Sequence, residues 1–298
     1  MPEKEFLKNI LVAVDDSASS LMALETAAAI AKYTDATVNV LHVVPHALYQ
    51  WGERLYSITG NVSEEILAKI EQDGERIVNG AVALFNEEGV KVNTDTLRGD
   101  DPAEGILEHS QGNCDLIVMG AHGENEKDPH ALGSTTKKVM THTQCPVLIV
   151  KAVTPAKRLL ICTDGSDESI RAAKYGARLA EKAHSGVTVL HVQDQQLYKA
   201  SPDISQKLGK RILSDTLSSL NWEGTKLEER LEVGVPSDVI VDVARKEGHD
   251  LIVLGKRGMG RVRRFILGSV SDDVGNKAKC SVLIVPARRE LGEHTEIV

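Results

Sequence analysis

Short apolar runs alternate with longer segments of helical periodicity along the first half of the chain. The apolar runs carry hydrophobic side chains on successive positions, which is typical of strands covered on both faces. They are Ile10 to Val14, Thr37 to Val43, Val90 to Leu97, Leu116 to Met119 and Val147 to Val150. The segments between them have helical spacing: Ser19 to Lys32, Ser63 to Asn86, Pro102 to Ser110 and Ser134 to His142. Strands that alternate with helices predict right-handed crossovers and a doubly wound α/β sheet.

The pattern occurs twice, because the chain contains an internal repeat. Residues 10–43 align with residues 159–192 at 12 identical positions. Further along, Cys145-Pro-Val-Leu-Ile-Val matches Cys280-Ser-Val-Leu-Ile-Val, and an insertion in the first half reduces the offset from 149 to 135. We therefore expect two tandem Rossmann-like domains, residues 1–152 and 156–287, and a loose tail at 288–298. Each domain should hold a five-stranded parallel sheet with helices on both faces.

The last strand of each repeat is a candidate for joining the two domains. Val147 to Val150 and Val282 to Val285 are wholly apolar, and each ends its domain. An unpaired apolar strand would leave an open sheet edge, so we expect the two strands to pair within one chain as an intramolecular pseudo-dimer.

Composition and charge narrow the class of protein. With 298 residues, 42% hydrophobic and 26% charged, the chain has the composition of a globular protein. No apolar run approaches the roughly 20 residues that span a bilayer, and the start MPEKEFLKN is charged, so we expect a cytoplasmic protein. The four cysteines lack CxxC spacing and are expected to be buried free thiols. The net charge of −8 argues against nucleic acid as the main partner.

That charge is divided unequally between the halves. Residues 1–151 carry 12 basic and 23 acidic side chains, a net charge of −11. Residues 152–298 carry 23 basic and 20 acidic side chains, a net charge of +3. The charge of the second half is therefore compatible with a local basic binding site.

The segment after the fourth strand of each repeat carries the most distinctive chemistry. In the second repeat it reads Gly255-Lys-Arg-Gly258, nine residues, then Gly268-Ser269, and the first repeat keeps this spacing from Gly120 to Ser134. Glycines let backbone N–H groups approach an anion, and a Gly-Ser pair that opens a helix offers free amides and the positive end of the helix dipole. The pattern predicts a phosphate site at the carboxyl ends of the strands. The alternative is that these glycines only end strands and start helices.

With these loops, the chain resembles the universal stress protein family in its tandem two-domain form. The pattern G-x2-G-x9-G-S is similar to the ATP-binding signature of the nucleotide-binding branch. Asp15-Asp-Ser17, Asp164-Gly-Ser166 and the Leu-His-Val ends of the second strands also resemble that family. The resemblance implies a stress-response regulatory protein that binds ATP or AMP, with Mg or Mn as a further candidate cofactor. It also implies little or no turnover and an unknown protein partner, with a homodimer left open.

The resemblance also implies which residues contact the nucleotide. Asp164 would lie beside it, Val192 would line the adenine pocket, and the glycines would hold the ribose and phosphates. The full set is Asp164, Val192, Gly255, Arg257, Gly258, Gly268, Ser269 and Val270.

Charge within the two loops predicts that the second repeat is the occupied one. Its loop holds five basic residues and no acid: Lys256, Arg257, Arg261, Arg263 and Arg264. The first loop holds three acids against one base: Glu124, Glu126, Asp128 and Lys127. Carboxylates repel a phosphate, and the first repeat also has Asp16 at the position of Gly165. The alternative is that the basic residues form a solvated face.

Two other functions stay open. An ATPase or nucleotidyl transferase is one, but the chain has no Walker A motif and no evident pair of base and nucleophile, so we expect no catalytic residues. A metal-binding or interaction protein is the other, with His122, His130 and Asp128 as candidate ligands, although these three residues do not have HxxxH spacing and no metal residues are expected.

Other marked residues have structural explanations beside functional ones. His42 and His191 end equivalent strands, and we expect packed, hydrogen-bonded histidines rather than bases. The insertion holds Tyr49, Trp51 and Tyr56, which suit a lid or partner surface and equally suit packing.

Overall fold

The structure is a computed structural model that describes residues 6–46, 62–123, 131–220, 222–224, 226–258 and 267–287, with 62–67 as backbone. The first repeat comprises β1 (Asn9–Val14), α1 (Ala18–Thr34), β2 (Thr37–Pro45), α2 (Val62–Glu87), β3 (Val92–Gly99), α3 (Pro102–His109), β4 (Leu116–Gly120), α4 (Ser134–His142) and β5 (Val147–Val150). The second comprises β6 (Arg158–Cys162), α5 (Asp167–Lys182), β7 (Gly186–Asp194), α6 (Gln195–Ala200), α7 (Pro202–Ser218), β8 (Lys226–Gly234), α8 (Pro236–Glu247), β9 (Leu251–Gly255), α9 (Ser269–Lys277) and β10 (Ser281–Val285). The predictions for Tyr49, Trp51, Tyr56 and the tail at 288–298 fall outside the described residues.

The ten strands of the described residues lie in one sheet, in the order β3-β2-β1-β4-β5-β10-β9-β6-β7-β8. Within each repeat every neighbouring pair is parallel. The doubly wound α/β fold predicted from the alternation is therefore confirmed. In each repeat the order reverses beside the first strand, between β1 and β4 and again between β6 and β9. This reversal opens a crevice at the carboxyl ends of those strands.

The two repeats meet through their closing strands. β5 and β10 pair antiparallel, with Leu148 opposite Leu283 and Ile149 opposite Val282. All four of these side chains are buried. The predicted pairing is confirmed, and it fuses two five-stranded halves into one continuous sheet.

Helices cover both faces of this sheet. On β1, Ile10, Val12 and Val14 join an apolar layer beneath α1, α2, α5 and α7, whereas Leu11 points into the layer beneath α3, α4, α8 and α9. Each layer contains residues of both repeats. Burial on both faces explains why central strands are apolar on successive positions.

The outermost strands depart from that expectation. β3 and β8 form the two edges of the sheet, and most of their side chains are exposed or half-buried. The prediction that the strand starting near Val90 is covered on both faces was wrong, because an edge strand is covered by fewer helices. Both edges carry charged side chains, such as Arg98 and Glu229, which disfavour pairing with another chain.

Local sequence fixes where the helices of the crevice begin. Ser17 and Ser166 cap α1 and α5, each accepting a hydrogen bond from the backbone N–H three residues on. Pro102 and Pro236 occupy the first turns of α3 and α8, where proline suits the helix. Among the described residues, we find no helix that is both long and apolar enough to cross a membrane.

Candidate functional site

The loops after β6 and β9 meet at the crevice of the second repeat. A Cβ atom on Gly258 would lie 2.3 Å from Oδ2 of Asp164, closer than any real contact. A side chain at position 258 would therefore displace the Asp164 carboxylate, because the loop runs directly against it. Gly258 itself is exposed, so the meeting point of the two loops borders solvent.

Asp164 organises the loop after β6. Its Oδ1 accepts hydrogen bonds from the backbone N–H of Ser166 at 3.0 Å and from the Ser166 hydroxyl at 2.6 Å. Gly165 between them has φ +83°, a left-handed conformation that favours glycine. This turn delivers Ser166 to its capping position at the start of α5.

The start of α9 is tied to the loop after β9. The N–H of Gly268 donates to the Lys256 carbonyl at 3.0 Å, and Ser271 Oγ donates to the Gly255 carbonyl at 2.7 Å. A Cβ on Gly268 would lie 3.1 Å from the Lys256 carbonyl oxygen. No described side chain caps α9, whose first residue, Ser269, is exposed. The first amides of α9 thus have no capping side chain among the described residues.

Arg257 forms an ion pair with Glu168 in the first turn of α5. Arg257 Nη2 lies 2.7 Å from Glu168 Oε1, and the Arg257 backbone N–H donates to Oε2 at 3.1 Å. Both side chains are only 18% exposed. One carboxylate therefore holds the loop backbone and neutralises the guanidinium that the sequence assigned to the phosphates.

Lys256 points away from the crevice. Its Nζ donates to the carbonyl of Thr143 at 3.0 Å, at the C-terminus of α4 in the first repeat. Burial, with a smaller contribution from the positive charge of Arg257, lowers the pKa of Lys256 to about 8. The expectation that Lys256 supplies a phosphate-facing cation was wrong, because the side chain spans the seam between the repeats.

Apolar side chains border the same end of the sheet. Val192 lies near the end of β7, two residues beyond Leu190, which pairs with Cys162 at the end of β6. Val192 and Val270 are half-buried and pack against the α8 and α9 layer. His191 is buried, and its Nδ1 is hydrogen-bonded to the Thr163 carbonyl at 2.8 Å. His42 bonds the equivalent Val14 carbonyl at 2.9 Å, so the predicted packed histidines are confirmed.

The first repeat keeps the backbone of this site but not its ion pair. Gly133 N–H donates to the Ala121 carbonyl at 2.9 Å, as Gly268 does to Lys256. The positions of Arg257 and Glu168 are held by His122 and Ser19. Asp16, in place of Gly165, forms an ion pair with Arg76 of α2 at 2.7 Å.

That pairing alters the loop after β1. The hydrogen bond and positive charge of Arg76 lower the pKa of Asp16, so the carboxylate stays ionised and paired with the guanidinium of Arg76. Both partners are exposed. The turn after β1 therefore carries an Asp–Arg ion pair where the turn after β6 has a glycine.

The structure brings most of the sequence-predicted residues together. Asp164, Gly255, Gly258 and Gly268 lie at the junction of three loops, and Ser269 and Val270 follow in the first turn of α9. Glu168 was missed, because it lies 89 residues before Arg257 and no short motif links them. Arg261, Arg263, Arg264 and the acids of the first loop fall outside the described residues. In the same described part, no three His, Cys, Asp or Glu side chains group as metal ligands.

Comparisons with known proteins place these features in context. The model of the universal stress protein family matches residues 7–151 and again residues 155–286. A universal stress protein of Mycolicibacterium smegmatis is 27% identical over 292 residues, covering 94% of this chain and 97% of its own. The crystal structure of a universal stress protein from Archaeoglobus fulgidus covers 93% of this chain and 98% of its own, at 21% identity and a TM-score of 0.70. A universal stress protein solved in complex with cAMP matches 43% of this chain and 96% of its own, at 28% identity and a TM-score of 0.38.

Proposed function

The chain belongs to the universal stress protein family, and we propose that its second repeat binds an adenine nucleotide, ATP or AMP. The observation that carries this proposal is the junction of the Asp164 loop, the Gly255–Gly258 loop and the uncapped start of α9 at one sheet crevice. Backbone amides at a helix start and a glycine-lined loop suit a phosphate group. The spacing from Gly255 to Ser269 also resembles the ATP-binding signature.

The proposed contacts divide between the two ends of the ligand. Val192 and Val270 offer half-buried apolar surface for adenine, with Asp164 beside the nucleoside. Gly255, Gly258, Gly268 and Ser269 hold the ribose and phosphates, and Arg257 borders them. Because Arg257 is already paired with Glu168, it contributes less attraction than an unpaired cation would.

We propose a regulatory role in the stress response rather than catalysis. In-line hydrolysis needs a positioned base for the attacking water. Asp164 Oδ1 already accepts two hydrogen bonds that shape its loop, and Glu168 is engaged by Arg257. Nucleotide occupancy would then be read by a protein partner, with magnesium or manganese accompanying ATP.

The experiment is to denature the purified full chain and identify the released small molecules by mass spectrometry. We expect ATP or AMP in an amount near one per chain. Loading the protein with ATP and magnesium or manganese should then release phosphate far below the roughly 1 to 10³ s⁻¹ of ordinary enzymes. Protein that neither retains nor binds adenine nucleotide would refute the binding proposal. Phosphate release at several per second, abolished by Asp164→Asn, would instead show an enzyme.

A further inference from the structure

Two cysteines of the first repeat meet at the amino ends of β4 and β5, the opposite end of the sheet from the crevice. Cys114 precedes β4 and Cys145 precedes β5, and their Sγ atoms are 3.3 Å apart. A disulfide needs about 2.05 Å, so the sulfurs must approach by only about 1.3 Å. Both thiols are free in this structure.

The backbone on the Cys145 side is held in place. β4 and β5 are parallel neighbours, and Ile117 N–H donates to the Pro146 carbonyl at 2.8 Å. The buried Thr143 hydroxyl accepts from Cys145 N–H at 3.0 Å and donates to its carbonyl at 2.8 Å. Cys145 itself is buried.

The Cys114 side is the more adaptable one. Cys114 is partly exposed and follows an exposed turn that contains Gly112, with φ +91°. A small shift of this turn would bring its sulfur to bonding distance. Oxidants from solvent therefore reach Cys114 before Cys145.

We propose that Cys114 and Cys145 form a peroxide-responsive thiol pair. A hydroperoxide oxidises the Cys114 thiol to a sulfenic acid and is itself reduced to water or an alcohol. The Cys145 sulfur then attacks the Cys114 sulfur, a disulfide forms, and the hydroxyl leaves as water with the Cys145 proton. Two thiols lose two electrons and two protons in total, and the peroxide takes up both.

The order of these steps follows from the surroundings of each sulfur. The Cys145 thiol contacts Cys114 and is buried, and both effects raise its pKa. Cys145 therefore stays protonated and does not initiate the reaction. The second repeat has no equivalent pair, since His249 occupies the position of Cys114 while Cys280 occupies that of Cys145. Cys280 is therefore a matched control on the same structural position.

The Cys114–Cys145 disulfide would stabilise a region where the two repeats are in contact. Asp115, next to Cys114, accepts hydrogen bonds from Lys8 N–H and Asn9 N–H at the start of β1. The Asp115 carbonyl accepts from the Tyr175 hydroxyl of α5 at 3.0 Å. A disulfide here would link β5, at the seam, to the segment that meets α5. Nucleotide binding plays no part in this inference.

To test this, the full chain is treated with hydrogen peroxide under mild conditions, and the remaining thiols are then blocked with an alkylating reagent in denaturant. Mass spectrometry gives the masses of the protein and of its peptides. We expect two of the four cysteines to escape alkylation and to appear as one Cys114–Cys145 cross-linked peptide. Before alkylation, the mass of the oxidised protein should be about 2 Da below that of the reduced protein. Reductant should restore all four thiols.

Two variants complete the design. Cys280→Ser should form the same cross-link, whereas Cys145→Ser should form none and should instead carry a sulfenic acid on Cys114, trapped by a dimedone-type reagent. Cross-linking that persists in Cys145→Ser, cross-links between chains only, or four alkylated cysteines in peroxide-treated wild type would overturn the proposal.

Discussion

Glu168 sets how much positive charge the second crevice offers to a phosphate. The loop sequence contains five basic residues and no acid, but a count within the loop omits acidic partners from other elements. The Glu168 carboxylate, in the first turn of α5, forms an ion pair with the guanidinium of Arg257 and accepts a hydrogen bond from its backbone N–H. The residue composition of the loop thus overstated the positive charge that Lys256 and Arg257 offer, because long-range contacts leave no local pattern in the sequence.

Replacing Glu168 by glutamine should release Arg257 toward the ligand. The amide oxygen of Gln can still accept from the Arg257 N–H, so the loop keeps its support while one negative charge is lost. We expect the affinity for ATP to rise by about three- to tenfold, roughly 1 kcal/mol, and the affinity for AMP to rise less. Isothermal titration calorimetry at low salt measures both.

The matched control for this prediction is Asp167→Asn. It removes the same charge from the neighbouring exposed residue of α5. Its effect should be smaller, because solvent screens an exposed charge. If Glu168→Gln leaves ATP affinity unchanged or weakens it, Arg257 does not serve the phosphates.

At the scale of elements, the sequence predicted the strands and helices of the first repeat to within about two residues at each end. Buried parallel strands and helical periodicity are local signals, and the caps at Ser17 and Ser166 sharpen them. Edge position is not local, which is why the exposure of β3 was missed. The pairing of β5 with β10 was predictable, since two wholly apolar closing strands each need a partner.

The contacts of single side chains across the seam were not predictable. Lys151 Nζ donates to the Ala278 carbonyl at the end of α9, as Lys256 donates to the Thr143 carbonyl at the end of α4. Each repeat thus places a lysine on the negative end of the other repeat's last helix. These lysines come from non-equivalent positions, so the repeat alignment does not reveal them.

Burial of Lys256 makes folding stability depend on pH. Its pKa is about 8 when folded, against 10.5 as the ordinary value, so the unfolded chain binds the extra proton between these pH values. Lys256 should therefore raise the free energy of unfolding by up to about 3 kcal/mol as the pH rises from 8 to 10.5. Urea unfolding of wild type and Lys256→Met across this range measures the difference.

The difference between those two proteins isolates Lys256, because thiols and tyrosines titrate alike in both. We expect wild type to gain stability relative to Lys256→Met as pH rises. The exposed Lys199→Met controls for loss of a positive charge. A difference that stays flat, or that shrinks with rising pH, contradicts the placement of Lys256 at the seam.

At the scale of the whole molecule, one sheet and two shared apolar layers join the repeats. We expect a single cooperative unfolding transition, with calorimetric and van't Hoff enthalpies equal. Leu148→Ala, at the centre of the seam and 1% exposed, should lower the free energy of unfolding by about 2–5 kcal/mol and shift that one transition.

Leu21→Ala on the surface of α1, where Leu21 is 52% exposed, should shift the transition little. Two separate transitions in wild type, or a Leu148→Ala variant that loses only the first repeat's transition, would show that the repeats fold independently.

We expect the two repeats of the molecule to differ in nucleotide binding. Both repeats keep the backbone frame of the glycine loop, but in the first repeat the turn after β1 holds the Asp16–Arg76 ion pair, and the loop after β4 is acidic in sequence. We therefore expect one nucleotide per chain, in the second repeat. Gly268 and Gly133 occupy equivalent positions, with φ −67° and −58°, values that suit any residue, so a substitution acts through side-chain volume alone.

The most direct measurement is a calorimetric titration of ATP into wild type, Gly268→Val and Gly133→Val, with circular dichroism to confirm that each variant is folded. We expect one site per chain in wild type, no binding in Gly268→Val, and near wild-type affinity in Gly133→Val. Two equal sites per chain, or binding lost only in Gly133→Val, would contradict it.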